Sequence, residues 1–416
     1  MRKFIIIFFL TQTAVYSQIN PIIELQNITI SENQRIKAME AESEMIKKRI
    51  PQSTAIDDPK FKMGFNNVPL STFSFTSEDM TSKEFGLTQM IPLGKLGIKE
   101  SIAVNEYNKS RIKIKAEKVM IMHQLRMNIY ELVYLRSSIK ILDEIKQQVN
   151  LVIDSEVAAA KSGMGSISNV IKSKIESNMI DEEIINLKQK QIEAELKINY
   201  LIGRKVDVNI FELPEPDFRE ISVSAVHNEI LNSNPELKML LADTEISKME
   251  ITQKKLEYIP NMELGLSYMQ RDSLPGMKRD DMLTGMVTFS LPVWFWKKNI
   301  PMIDEMKKKF TSQKNLYQDK LNDINARTET QISQLSRWRE LYRLYQDKLI
   351  PQTKLALETN LARYRSSTVE IMPVIDNVRM LLRYKKELVM TVKEYYISFS
   401  ELNALMGVEV VSWGQK

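Results

Sequence analysis

The stretch MLTGMVTFSLPVWFWKK, at Met282–Lys298, joins a strand pattern to a cluster of aromatic and basic residues. Along Met282–Leu291, apolar residues and a glycine occupy the odd positions, while methionine, threonine and serine occupy the even ones. A period of two over about ten residues predicts a β-strand with one apolar and one polar face, long enough to cross an outer membrane. Trp294, Phe295 and Trp296, followed by two lysines, are typical of a membrane–water interface. A buried aromatic cluster is the alternative.

Three more segments are predicted to be strands. Met262–Met269 alternates in the same way, and the polar loop RDSLPGMKRDD at 271–281 separates it from the strand above. In the first half of the chain, Lys60–Val68 and Glu84–Ile91 alternate less regularly. Four strands are too few to close a barrel, and lipid does not tolerate open sheet edges. The chain must therefore pack these hairpins against something soluble or oligomerise, and a trimer would supply three times as many strands.

Two very long helices are predicted by apolar residues spaced three and four apart, a narrow coiled-coil seam. The first seam consists of Met122, Leu125, Ile129, Leu132, Ile139, Leu142, Ile145, Val149 and Val152. The second consists of Ile303, Met306, Phe310, Tyr317, Leu321, Ile324, Leu335, Tyr342, Tyr345 and Leu349. Each helix would span roughly 90–100 Å at 1.5 Å per residue, which is too long for a compact globule. Helices about half as long are expected at 27–50, 169–202, 223–257 and 369–406.

The two halves of the chain repeat one plan. The same landmarks recur in the same order, as Asn33 and Asn234, Pro59 and Pro260, Gly64 and Gly265, Pro92 and Pro292, the stretches SGMGSISNVI and SSTVEIMPVI, and the helix-ending Gly203 and Gly407. This period is far longer than that of a solenoid repeat and indicates a duplication. The predicted organisation is a signal peptide at 1–17, a first repeat at 18–204, a linker at 205–221, a second repeat at 222–408 and a tail at 409–416.

The N-terminus predicts export from the cytoplasm. Arg2 and Lys3 precede an apolar run at Phe4–Leu10, and the small residues Ala14 and Ser17 follow, as in a secretory signal cleaved after Ser17. A buried strand or a membrane anchor is the alternative, but the run is far shorter than the ~20 residues that span a bilayer. The chain contains no cysteine, which excludes disulfides, thiolate metal sites and a lipidated cysteine after the signal.

Composition favours a helix-rich protein without enzymatic machinery. The chain of 416 residues is 43% hydrophobic and 27% charged, and its net charge of +5 is not gathered in a long basic run, so no nucleic-acid partner is expected. His123 and His227 each stand isolated on a helical pattern, and no phosphate loop, dinucleotide motif or paired metal ligands occur. We therefore predict no enzyme, no cofactor and no metal site. The 24 methionines, Met282 and Met286 among them, fit soft-metal handling or ordinary core filling.

Several of these features together resemble the TolC family of outer-membrane efflux ducts. They are the signal, the two-fold repeat, Pro59 and Pro260, and the stretches TQMIPLGK, FSLPVWFWKK, ARYRSSTVEIMPVID and LNALMG. The stretch NVPLSTFSFTSEDMTSKEFGLTQMIPLGKLG is most similar to the heavy-metal efflux branch, although the lipidated cysteine of many relatives is missing.

The resemblance implies a mainly α-helical protein with a β-barrel part, to which each chain gives four transmembrane strands and long coiled-coil helices, closed as a homotrimer. Such a protein lies in the outer membrane of Gram-negative bacteria, in contact with its lipid, and extends into the periplasm. It would be a passive channel that docks through a periplasmic membrane-fusion adaptor onto an inner-membrane pump of the RND type. The exported substrate would be heavy-metal cations, or otherwise drugs or other small molecules.

Site residues follow from the turns that close the two helical hairpins. Small residues permit a sharp reversal at both turns, and the resemblance implies that such tips dock the adaptor; the residues are Ser162, Gly163, Met164, Gly165, Ser366, Ser367 and Thr368. It also implies an acidic ring around the pore aperture, to which Asp376 would contribute, with Glu370 as the next candidate. Asn169 and Pro373 stand where many relatives have aspartate, which departs from a two-ring gate.

A secreted periplasmic coiled-coil scaffold, or a pump adaptor without a pore, is the rival interpretation. Such a protein would also have a signal peptide and coiled-coil seams. It would not account for four alternating strands, the last of which is followed by tryptophan and lysine. Fractionation distinguishes the two, because a duct should sediment with the outer membrane and require detergent for extraction.

Overall fold

The computed structural model describes residues 21–163, 165–208, 210, 212–218, 221–274, 276–366 and 371–410. The predicted signal peptide and the predicted site residues Met164, Ser367, Thr368 and Glu370 lie outside these residues.

Helices make up most of the described chain, with one four-stranded sheet. In chain order, the elements are α1 (Pro21–Glu32), α2 (Gln34–Lys47), α3 (Arg49–Thr54), β1 (Lys60–Asn66), β2 (Ser82–Ile91), α4 (Leu96–Lys161), α5 (Ile167–Ile202), α6 (Val223–Ser233), α7 (Pro235–Leu256), β3 (Met262–Gln270), β4 (Met282–Phe289), α8 (Asn299–Leu344), a π-turn (Tyr345–Leu349), α9 (Ile350–Arg365) and α10 (Met372–Leu405). All four predicted strands and both predicted long helices are present, with ends that differ by a few residues. None of the helices in the described ranges is both long and apolar enough to cross a bilayer.

The chain divides into two compact units. The sheet unit comprises Arg35–Glu117 and His227–Arg327, and the helical unit comprises Met1–Gln34, Lys118–Val226 and Thr328–Lys416. Each unit therefore takes chain from both of the predicted repeats.

The sheet is an antiparallel meander in the order β1-β2-β3-β4, which leaves β1 and β4 at its two edges. Its register aligns the apolar residues of all four strands, since Phe61 lies opposite Leu87, Leu87 opposite Leu266, and Leu266 opposite Gly285. Side chains alternate across a strand, so one face of the sheet carries every member of this apolar set. The set, called the apolar face below, is Phe61, Met63, Phe65, Phe85, Leu87, Ile91, Met262, Leu264, Leu266, Tyr268, Leu283, Val287 and Phe289.

Helices α2, α4 and α7 pack together in the sheet unit. Ile36, Ala103, Leu237 and Ile246 are among the buried apolar side chains there. Polar contacts accompany them, including a hydrogen bond of 2.7 Å between the hydroxyls of Ser43 and Ser110. Asn234 caps α7 by accepting a hydrogen bond from the backbone N–H of Leu237, which satisfies one of the donors left open at a helix start.

The helical unit is built on the first predicted seam. Met122, Leu125, Ile129, Leu132, Leu142, Ile145 and Val149 are buried on α4, while Ile139 and Val152 are partly covered. Burial of each such side chain is worth about 1.5–3 kcal/mol, so this stripe anchors the long helix. Only part of the second predicted seam is buried within the chain, namely Ile303, Ile324 and Leu335.

Glycine ends both α5 and α10, as the repeated sequence pattern predicts. Gly203 has a φ of +87° and Gly407 a φ of +73°, the left-handed conformation that other residues adopt only with strain. A side chain at 203 would also place its Cβ 3.2 Å from the carbonyl oxygen of Glu32. The Asn199 side chain completes the first of these ends by accepting a hydrogen bond from the backbone N–H of Val206.

The segment predicted as a linker is held against the helical unit. The Arg136 guanidinium donates to the carbonyl oxygens of Val208 and Ile210, at 2.6 and 2.9 Å. Phe218 packs on the rings of Tyr342 and Tyr395, each with a centroid 5.2 Å away. Val208, Ile210 and Phe218 of this segment therefore contact α4, α8 and α10.

The second long helix differs from the first by the π-turn at Tyr345–Leu349. Elements α8, the π-turn and α9 have 46, 5 and 16 residues, one more than the 66 residues of α4. A π-turn accommodates an extra residue in a helix, and Pro351, two residues after its end, cannot supply an N–H to the ladder. The predicted seam through Tyr345 and Leu349 therefore passes through a π-turn rather than regular α-helix.

Candidate functional site

The first helical tip is a turn that requires glycine at two positions. Gly163 has a φ of +75°. At Gly165 a Cβ atom would lie 2.8 Å from the backbone nitrogen of Ala160, closer than side chains approach backbone. Ser166 then starts α5, and its hydroxyl accepts a hydrogen bond from the backbone N–H of Ser168. Gly163 and Gly165 thus have a local structural role, because each allows the turn that closes this hairpin.

The second tip is described only in part. Ser366 ends α9, and its backbone N–H donates to the carbonyl oxygen of Ala362. Ile371, immediately before α10, is completely buried. The chain between them holds three of the predicted site residues and lies outside the described residues.

Asp376 lies on the first turns of α10, in an acidic and basic cluster with Arg379 and Glu176. Its side chain is 61% exposed, and its carboxylate is 3.8 Å from Nη1 of Arg379. The Arg379 guanidinium donates from Nε and Nη2 to Oε2 of Glu176, at 2.9 and 2.6 Å. This bond to Glu176 raises the pKa of Arg379. Asp376 is thus an accessible carboxylate, and its basic neighbour Arg379 is hydrogen-bonded to Glu176 instead.

Asn169 lies on the first turn of α5 and is partly buried. Its backbone N–H donates to the carbonyl oxygen of Ser166. No hydrogen bond or ion pair connects it to Asp376 within the described residues.

Charged pairs continue along the helices away from the tip. Lys386 donates to Glu183, one heptad beyond the Arg379–Glu176 pair, and Lys393, a further heptad along, donates to Glu131 at 2.9 Å. Burial lowers the pKa of Lys393, but the hydrogen bonds and negative charges of Glu131 and Glu394 together outweigh this, and the net shift is upward. The sequence alone does not predict these pairs, although Glu176 and Glu183 on α5 and Arg379 and Lys386 on α10 share a seven-residue spacing.

A buried carboxylate also lies near the tip. Glu156 on α4 is almost fully buried, and it accepts a hydrogen bond of 2.6 Å from the hydroxyl of Tyr364 on α9. Burial and this bond raise the pKa of Tyr364, so the phenol stays protonated and continues to donate. This hydrogen bond joins α4 to α9 near the tip, beside the buried apolar residues Ile371 and Val374 at the start of α10.

The aromatic segment after β4 is exposed. Trp294 and Trp296 lie edge to face with ring centroids 5.5 Å apart, and Phe295 packs against Tyr258. All three predicted interface residues expose more than a third of their surface, and Lys297 and Lys298 beside them are exposed as well. Within this chain, they do not form a buried cluster.

The polar face of the sheet carries charge and methionine. Glu84 accepts hydrogen bonds from Lys62 and Asn66, at 3.0 and 2.9 Å. Met282 lies directly opposite Met269 on this face, and Met286 lies opposite Gly265. Among the residues that the structure describes, no three His, Asp or Glu side chains group as ligands for a metal ion.

Comparison with solved structures assigns the fold. CusC matches with a TM-score of 0.80 and 11% identity, over 93% of this chain and 92% of that one. VceC of Vibrio cholerae matches with a TM-score of 0.78 and 13% identity, over 93% and 96% of the two chains. CmeC of Campylobacter jejuni matches with a TM-score of 0.78 and 14% identity, over 95% and 87%.

The chain has the fold of a TolC-like outer-membrane channel. The predicted fold class is therefore confirmed. The structural neighbours are outer-membrane channels rather than enzymes. No protein-family model matches the sequence, and no curated protein is detectably similar to it.

Proposed function

We propose that this protein is the outer-membrane channel of a tripartite efflux system, assembled as a homotrimer. An inner-membrane pump of the RND type would supply the energy, and a periplasmic adaptor would dock at the tips around Gly163 and Ser366. The single observation that carries the proposal is the apolar face, which extends across all four strands and is exposed.

The apolar face is so exposed that we expect another molecule or lipid to cover it. Phe61, Met63, Leu266, Leu283 and Val287 each expose more than half of their surface. Monomeric soluble proteins rarely expose contiguous apolar patches of more than a few hundred square ångströms. Lipid covers such a face without further contacts, provided that no sheet edge is left open within the membrane.

Pairing between chains would close the edges. In an antiparallel meander of four strands β4 runs opposite to β1, so β4 of one chain can extend the sheet through β1 of the next. Continuity of the apolar face requires odd residues of β4, such as Val287, to share a face with odd residues of β1, such as Met63. A trimer closed in this way has enough strands for a barrel.

Cysteine cross-linking tests this closure cleanly because the chain has no cysteine of its own. We expect Val287→Cys, combined in turn with Phe61→Cys, Met63→Cys and Phe65→Cys, to form an inter-chain disulfide in at least one pair. The product would be a covalent oligomer on non-reducing gels of outer-membrane fractions. Thr288→Cys with the same three partners is the matched control, because its side chain points to the opposite face. Equal cross-linking of both series, or none in either, would contradict the proposed trimer.

The substrate class that we favour is a cation, with heavy-metal cations as one form. Soft thioethers on the polar face, Met269, Met282 and Met286, support this choice, as does the exposed carboxylate of Asp376 near the tip. In a trimer, three copies of Asp376 around one axis would attract cations and repel anions.

Asp376→Ala is therefore expected to lower the cation selectivity of the reconstituted pore. The measurement is the reversal potential under a salt gradient in planar bilayers, with the wild type as the reference. Unchanged selectivity would move the aperture to Glu370, which Glu370→Ala tests in the same assay.

A further inference from the structure

Two loops at one end of the sheet fold into a single body, called the strand-end lobe, made of residues 67–81, 271–274 and 276–281. Arg279 fastens them together and is only 7% exposed. Its Nη1 donates to the carbonyl oxygens of Glu78 and Asp79 at 2.8 and 2.9 Å, and its Nη2 donates to that of Phe75 at 3.0 Å. Nε and Nη2 also donate to the carbonyl oxygen of Asp272. All five N–H groups of the guanidinium are thereby used, so the lobe is held as one unit.

The lobe leans toward the apolar face of the sheet. Phe75 packs edge to face on Phe65, with ring centroids 5.3 Å apart, and the Lys83 ammonium lies 5.1 Å from the centroid of the Phe75 ring. Phe65 and Lys83 are register partners on the apolar-face side of β1 and β2. Lys83 also binds Asp272 of the other loop at 3.0 Å. Both loops are therefore fixed to the side of the sheet that carries Phe61 and Leu87.

Large apolar side chains project from this lobe. Leu70 is 85% exposed and Phe73 is 71% exposed, and Met80 and Met277 are also exposed. Phe73 has a φ of +47°, a strained value for a residue with a bulky side chain. Its backbone is nevertheless fixed, because its N–H donates to the carbonyl oxygen of Pro69. Exposure of this phenylalanine to water is unfavourable, because its ring is apolar and no burial offsets the backbone strain.

The height of the apolar face explains what such residues would contact. From Phe289 to Leu283 the face spans three steps of two residues, ~20 Å along the strand. At a tilt of ~40° this covers ~15 Å along a barrel axis, whereas the apolar band of outer-membrane barrels is ~25 Å tall. The exposed segment after β4, with Leu291 and Trp294, extends the band at one end. The exposed residues Leu70 and Phe73 lie in the loop after β1, at the other end of the sheet.

We propose that the strand-end lobe is a lipid-binding surface that inserts Leu70 and Phe73 into the adjoining membrane leaflet. The partner is a lipid surface, because the lobe continues the apolar face on the same side of the sheet. The inference rests on the proposed membrane barrel and goes beyond it, since loops between barrel strands are otherwise expected in water.

Single cysteines labelled with an environment-sensitive fluorophore test the proposal in the otherwise cysteine-free protein, reconstituted in phospholipid vesicles. The positions are Leu70→Cys and Phe73→Cys in the lobe, Ser77→Cys as a near-isosteric control in the same loop, and Val287→Cys on the apolar face. We expect blue-shifted emission, quenching by spin-labelled lipid and protection from iodide at 70, 73 and 287. The label at 77 should show the reverse. Using two lobe positions keeps the test valid if one substitution disturbs the loop.

Each other outcome is decisive. Iodide quenching at 70 and 73, with lipid quenching at 287, would overturn the lobe proposal and leave the barrel standing. Iodide quenching at 287 would overturn the proposed function itself. Protection of 70 and 73 from both quenchers would indicate contact with another copy of the chain, which also overturns a lipid surface.

Discussion

Val287→Arg is expected to prevent stable insertion of the protein into the outer membrane. Val287 lies on the apolar face opposite Leu264, with more than half of its surface exposed. A cation on the lipid-facing side of a barrel costs about 2–4 kcal/mol near the midplane of the bilayer, and a trimer would bear this cost three times. The measurement is the amount of trimer in outer-membrane fractions by gel electrophoresis without boiling. We expect it to fall at least tenfold, the change that corresponds to about 1.4 kcal/mol.

Thr288→Arg is the matched control, one residue along the same strand. Thr288 lies opposite Glu263 on the polar face, so an arginine there would face the water-filled interior. Trimers should form in normal amounts, and the change should appear only in single-channel conductance. Equal loss of trimer in both variants would show that the two faces have been assigned wrongly.

Arg379→Glu is expected to open the helical tip. The substitution removes both hydrogen bonds to Glu176, whose side chain is only 7% exposed, and adds a third carboxylate beside Asp376. Breaking a fully buried charge pair destabilises a protein by about 3–5 kcal/mol. The Arg379 side chain is half exposed, so solvent screens this pair, and we expect its loss to cost no more than the lower end of that range. If the tip forms the aperture, its loosening should raise pore conductance in planar bilayers severalfold. Cells producing the variant should become sensitive to large antibiotics that the closed pore excludes.

The exchanged pair Glu176→Arg with Arg379→Glu is the control. It restores one opposite-charge contact between α5 and α10 with the order reversed, so conductance should return toward the wild-type value. If Arg379→Glu alone has wild-type conductance, the cluster of Asp376, Arg379 and Glu176 does not control the aperture. An exchanged pair as leaky as the single variant would indicate a packing defect rather than a lost ion pair.

The strands and their faces were readable from sequence, because alternation is a local property. The choice of Leu283, Val287 and Phe289 as one face agrees with the register of β4 against β3. The helix ends at Gly203 and Gly407 were equally readable, since the left-handed conformation is a requirement of one residue.

The ion pairs were not readable, because they depend on which helices become neighbours. Glu176 and Arg379 are far apart in sequence, and each by itself resembles a solvated charge. The role of Arg279 was not predictable either. In the sequence it is one charge in a polar loop, but in the structure it joins two loops through hydrogen bonds to backbone carbonyl oxygens. The adaptor-docking role of Gly163 and the heavy-metal branch remain predictions.

The π-turn at Tyr345–Leu349 has a consequence for how each long helix tolerates a change in length. In α4, removal of one residue would rotate everything beyond it by about 100° and turn the buried stripe to solvent. In the second long helix, the surplus residue is confined to five positions, and its removal would restore an ordinary helix with the residues on both sides still in phase. One of the two long helices is thus intolerant of any change in length, while the other contains a place where one residue can be lost with little change in structure.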